Sequence, residues 1–248
     1  MQINNELKIL AEILRKIFRE VYDKLKDKKL NNKILDEEVL KIVENIEIQK
    51  ENLEIKFSEP EDTIYTTEGG RTPYDLLCYG KINGKEFKIF INNKFGDLFS
   101  KTRNDVTTYN NLLRLYLGIS TQRLTSKITI DGNLVFNRVS GKELVAYALF
   151  VIDKKVDKKG RGHHKFFLLE EMKDSFYVNP RNTMFQVRYN PPLGDPVDYY
   201  TFCMKLIDAI LEALKKSLST IETEILVLKT IQKELIEIKK RVYYGEKW

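Results

Sequence analysis

Asp75-Leu-Leu-Cys-Tyr-Gly-Lys-Ile82 and Lys85-Glu-Phe-Lys-Ile-Phe-Ile-Asn92 are two strand-like runs joined by Asn83-Gly84. A two-residue type I′ turn needs positive φ at both central positions, and asparagine and glycine tolerate that best. The stretch therefore predicts a β-hairpin. Its second strand folds back along the first, which puts the end near Asn92 beside the start near Asp75. Side chains two apart on a strand share a face, so Asn92 and Lys94 project together.

Outward from the hairpin, the pattern alternates between helix and strand. Residues 4–28 read as a helix, because Leu7, Leu10, Leu14, Ile17, Phe18, Val21 and Leu25 recur at three- and four-residue spacing. A second helix is expected from Asp36 to Glu51, with Val39, Ile42, Val43 and Ile46 on one side. Glu59-Pro60-Glu61-Asp62 and Glu68-Gly69-Gly70-Arg71 bracket a short extended piece. Beyond the hairpin, Asn104 to Leu117 reads as helix, and Leu144–Ile152, Lys165–Leu169 and Thr183–Tyr189 read as strands. From Val197 to Val242 the pattern is helical, with a break near Leu218-Ser219-Thr220. These elements predict one α/β domain over residues 1–248: N-terminal helices (1–58), a core with a central mixed sheet (64–190) and C-terminal helices (197–242).

Composition narrows the class. The chain has 248 residues, 42% of them hydrophobic and 11% aromatic, which is enough for a buried core. A net charge of +6 suits a protein that offers one basic face to a polyanion. Cys78 and Cys203 are far apart, and His163 and His164 are the only histidines and adjacent, so no zinc site is expected. The charged, amphipathic N-terminus is unlike a signal peptide, and no run is long enough to span a membrane; a cytoplasmic location is the default. The abundance of Lys, Glu and Ile resembles a thermophile's composition.

The hairpin mouth thus gathers a carboxylate (Asp75), an amide (Asn92) and an ammonium (Lys94) around one small volume. Hydrolysis of a phosphodiester needs such a set. A carboxylate and a second oxygen ligand hold Mg²⁺, and a lysine positions or activates the attacking water. Taken singly, each residue also fits an ordinary strand end.

Thr72-Pro73-Tyr74-Asp75, the glycine-containing hairpin and Ile91-Asn92-Asn93-Lys94 together resemble the signature of the PD-(D/E)xK nucleases. Two departures stand out. Tyr74 separates the proline from the aspartate, and Asn92 stands where an acid is usual. The flanks Gly69-Gly70-Arg71, Phe95-Gly96-Asp97 and Asn179-Pro180-Arg181-Asn182 resemble type II restriction enzymes of that superfamily, and the likeness covers about residues 64–190. It implies a restriction-endonuclease-like core, Mg²⁺ (with Mn²⁺ as substitute), double-stranded DNA as substrate and a homodimer that cuts both strands. Glu68, just ahead of the glycine pair, is the first candidate for the missing acid, and Asp105 is the second.

For DNA contacts, the basic loop Lys154–Lys165 offers Lys158, Lys159, Arg161, His163, His164 and Lys165 to phosphates. Lys101 and Arg103 follow the hairpin and are placed to grip the backbone. Arg181, Asn182, Gln186, Arg188 and Asn190 are of the types that read base edges, and the last three alternate along a predicted strand. Two other functions remain compatible with these residues. One is a structure-specific nuclease of the resolvase or repair kind; the other is a DNA-binding protein with a nuclease fold and a dead site.

Overall fold

The structure is a computed structural model that describes residues 4–60, 73–119, 130–155, 162–180, 182–216 and 222–244. Two helices open it, α1 (Asn5–Leu25) and α2 (Asn32–Val43). Strands β1 (Ile48–Lys50), β2 (Leu53–Ser58), β3 (Leu76–Ile82) and β4 (Lys85–Gly96) follow. Next come β5 (Asn104–Thr108), α3 (Tyr109–Leu117), α4 (Gly132–Val139), β6 (Glu143–Asp153) and β7 (His164–Leu168). The chain continues through β8 (Tyr177–Val178) and β9 (Met184–Val187) to α5 (Tyr199–Lys216) and α6 (Glu222–Tyr244). No helix among the described residues is long and apolar enough to cross a membrane.

Among the described residues, a six-stranded sheet has the order β1-β2-β3-β4-β6-β7. It is mixed: β1 to β4 form an antiparallel meander, β4 runs parallel to β6, and β7 returns antiparallel. The β3–β4 hairpin closes as its sequence predicts. Ile82 pairs with Lys85, and the turn residues Asn83 and Gly84 have φ of 50° and 77°. A second, three-stranded sheet has the order β5-β9-β8.

Alternation along the strands gives the large sheet two apolar faces, as burial between layers requires. Leu76, Cys78, Ile89, Ile91, Ala148 and Phe150 face α1 and α2; Leu77, Phe90, Tyr147, Leu149 and Val151 face α3 to α6 and the small sheet. On the first side Phe18 of α1 stacks on Phe166 at 4.6 Å and lies 4.7 Å from Phe150. The result is a central mixed sheet flanked by helices, with helical N- and C-terminal segments.

Four expectations need correction. The second helix starts earlier and ends earlier than its pattern implied, because Asn31 caps it by accepting the Ile34 N–H (3.0 Å) and Ile48–Lys50 pairs as β1. Asn104–Thr108 is a strand. Val106, Thr107 and Thr108 are β-branched, and Thr108 caps α3 by accepting the Asn111 N–H (3.3 Å). The strand expected over Thr183–Tyr189 stops at Val187, so Gln186, Arg188 and Asn190 do not share one strand face. Strands β1, β2 and β8 and helix α4 are additional to the sequence reading.

Glu170, in a 3₁₀ turn after β7, is buried between the sheet and the C-terminal helices. The Tyr116 hydroxyl donates to it, and the Tyr147 N–H approaches at 3.4 Å. Burial pushes its carboxyl up to about 8, from an ordinary 4.5. Folding therefore favours the protonated acid. That contribution is whole below about pH 4.5 and is lost as pH rises through about 8. Glu170→Gln, neutral at every pH, is expected to flatten the fall in unfolding free energy over this range. Urea titrations at a series of pH values measure it, and an unchanged slope would refute it.

Candidate active site

Strand β4 outruns β3. Leu76 pairs with Ile91, and beyond that register Asn92 to Gly96 pair only with β6 among the described strands. Asp75 sits at the step. Its N–H donates to the Ile91 carbonyl (2.8 Å), and its Oδ2 accepts the N–H of Asn93 (2.7 Å). The Asn93 side chain turns to the other partner: its Nδ2 donates to Asp36 Oδ1 on α2 (3.1 Å). One residue therefore holds two carboxylates, one through its backbone and one through its side chain.

Both acids are poorly compensated. Burial raises the pKa of Asp75, opposed by the Asn93 N–H and by the Lys94 charge. Asp36 is pushed up to about 7, first by burial and then by repulsion from Asp75, against the Asn93 hydrogen bond and Lys94. Lys94 is half-buried, and burial lowers its pKa; Asp75, Asp36 and Asp105 all act in the opposite sense. The lysine thus lies within electrostatic reach of three acids.

Asn92 occupies the other face of β4. The Tyr147 hydroxyl donates to the Pro73 carbonyl (2.6 Å), so it must accept from the Asn92 amide, whose Nδ2 lies 3.0 Å away. This fixes the amide's orientation and leaves its Oδ1 buried without a partner among the described residues. Asn93 Oδ1 is likewise buried and has no partner among the described residues. Asp75, Asp36 and the Asn93 amide oxygen make an oxygen-rich, charge-deficient group, while Asn92 Oδ1 lies on the opposite face of the strand. That donor set suits a hard divalent cation such as Mg²⁺ and lacks the nitrogen or sulfur that zinc favours. Gly96 closes the end of β4, where any Cβ would lie 2.5 Å from the Tyr189 ring.

The remaining expected site residues divide into groups. Asp105, the second residue of β5, accepts from Gln186 Nε2 (2.6 Å) and still influences Lys94. Lys101, Arg188 and Asn190 line a cavity of about 320 Å³ with Phe99, although Arg188 also approaches Asp174 at 3.7 Å. Arg103 lies over the Tyr177 ring at 4.8 Å. Lys165 donates to Asn190 and to the Pro191 carbonyl, and Asn182 accepts the Met184 N–H (3.2 Å) in a turn. His163 meets Phe99 edge-on at 5.3 Å, whereas His164 is stacked on Tyr22 of α1 at 4.3 Å. Glu68, Lys158, Lys159, Arg161 and Arg181 lie outside the described residues.

Asp36, Asn93, Tyr147 and Phe99 join this region without having been expected there. Asp36 carried a readable signal. With Val39, Leu40 and Val43 it completes an i, i+3, i+4, i+7 stripe, and an acid in an apolar stripe needs a reason.

The sheet order and its flanking helices define an α/β protein with the restriction-endonuclease-like architecture. No family model matches the chain. It is 66% identical over 239 residues to the type II restriction enzyme MjaIV of Methanocaldococcus jannaschii, covering 96% of both chains. The chain belongs to that restriction-enzyme family.

Proposed function

We propose that this chain is a type II site-specific endonuclease that hydrolyses phosphodiester bonds in double-stranded DNA, with a PD-(D/E)xK-type site and Mg²⁺ as cofactor. The observation that carries the reading is the double grip of Asn93 on Asp75 and Asp36, one position before Lys94. Asp75 and Asp36 would hold the cation, with the Asn93 amide oxygen beside them and Glu68 or Asp105 as a further acid. A Mg²⁺ ion held by these residues would offset charge at the scissile phosphate and help activate water for attack. Lys94 orients the attacking water and offsets charge on the phosphorane oxygens. Asn93 keeps the two acids together, and Tyr147 keeps the Asn92 amide turned. Cutting both strands of a palindrome calls for a two-fold homodimer. A cytoplasmic location fits such an enzyme.

Incubation with plasmid DNA tests the reading. Discrete fragments in Mg²⁺ that vanish in excess EDTA are expected; cutting of branched DNA alone, or mobility shifts without cutting, would replace it with the other two functions. Within it, Asp36→Asn is expected to slow cleavage by about a hundredfold. It should also shrink the rise in thermal midpoint that Mg²⁺ gives the wild type. A normal rate with a normal Mg²⁺ shift would remove Asp36 from the site.

A further inference from the structure

Phe99 is an aromatic side chain held out in solvent just past the candidate catalytic strand. It is 58% exposed and lies five positions beyond Lys94. The backbone beneath it is fixed on both sides. Leu98 is buried and its N–H reaches Asp153 Oδ1 (3.4 Å); the Phe99 N–H donates to Asp97 Oδ1 and the Ser100 N–H to the Asp97 carbonyl, both at 3.3 Å. Asp97 also pairs with Lys155, and the Lys154 N–H holds the Gly96 carbonyl (2.9 Å). On the far side, the Ser100 and Thr102 hydroxyls are 2.6 Å apart. The backbone that carries the ring is thus tied down on both sides.

The surroundings identify the partner. The buried Leu98 floors the cavity beside the ring, Ser100, Lys101, Arg188 and Asn190 line the rest of it, and His163 touches the ring edge. A protein interface would surround an anchor of this kind with apolar and aromatic groups. Here, apart from the buried Leu98, the neighbours are cationic and hydrogen-bonding, suited to phosphates and base edges. A bare phenyl ring serves neither of those contacts. Beside nucleic acid, its favourable interaction is stacking on a base.

We propose that Phe99 is a wedge that enters the DNA duplex at a base step near the scissile phosphate, unstacks it and kinks the helix there. The proposal rests on the endonuclease reading and adds a distortion of the substrate to it. Lys101 and Arg188 hold the backbone while the ring replaces the lost base–base contact. Apolar side chains inserted between base steps bend DNA by this means. Specificity then includes how readily a step deforms, at positions that no side chain hydrogen-bonds.

Sequencing the ends of digested DNA gives the recognition site, and duplexes carrying it are made with 2-aminopurine at successive positions. With Ca²⁺ in place of Mg²⁺ to hold the strands uncut, wild-type protein is expected to raise fluorescence sharply at one step. Phe99→Ala should leave the signal flat and weaken binding about tenfold, with an unchanged thermal midpoint because the ring is exposed. Phe99→Leu, still an apolar wedge, should keep part of the rise. A flat wild-type signal at every position, or a full rise with Phe99→Ala, overturns the wedge and leaves the endonuclease standing. A protein that cuts no DNA removes both.

Discussion

Asp75→Asn is expected to cut DNA at least about a thousandfold more slowly than wild type, and to melt at a higher temperature in metal-free buffer. The two effects have one cause. Burial raises the pKa of Asp75 even though the Asn93 N–H and Lys94 favour its ionised form. At neutral pH the folded state therefore carries a carboxylate that the unfolded chain solvates better, and Asp36 repels it in addition. An amide relieves that tension, and its oxygen can still accept the Asn93 N–H that sets the local geometry. Catalytic sites commonly trade stability for function in this way. Single-turnover cleavage and thermal unfolding in EDTA measure the two halves. Retained cutting would expel Asp75 from the mechanism, and an unraised midpoint would deny the strain.

Lys94→Ala is expected to reduce cleavage by about a thousandfold while binding DNA almost as wild type does. One lysine among many phosphate contacts changes the salt dependence by at most about one ion. Its work is at the reacting phosphate, where a preorganised cation counts for much more. Burial lowers its pKa while three acids act against that shift. The ammonium is thereby brought nearer to exchanging a proton with an attacking water. Lys94→Arg should not rescue the rate, since a guanidinium keeps its proton and fills a different shape. Gel shifts and cleavage on one substrate separate the two roles. A wild-type rate in Lys94→Ala would dismiss this site.

What could be read in advance was local. Asn83-Gly84 announced its hairpin because positive φ is a property of two adjacent residues. The register of that hairpin then placed Asp75 beside the end of β4. The apolar stripes of α1 and α5 were equally legible, being periodic within one element. What stayed hidden depends on partners distant in sequence. Asn104–Thr108 becomes a strand by pairing with β9, some eighty residues on, and the leucines after it drew the predicted helix too far back. Asp36 reaches the site only because α2 packs on β4. Asn93, the middle residue of Asn92-Asn93-Lys94, looked like a spacer until both acids were found bound to it.

The overhang of β4 has one more consequence, for solubility. Among the described residues no strand covers β4 beyond the end of β3, so the N–H groups of Asn93 and Phe95 would lie along an open edge there, and such edges invite other chains to add on. Here Asp75 takes the first at 2.7 Å and Asn32 Oδ1 the second at 2.9 Å. Two side chains thus imitate the missing strand and guard the edge against aggregation. The same step in the sheet that makes room for the acids is kept from sticking by one of them, which is why alanine at position 75 would be a poorer probe than asparagine.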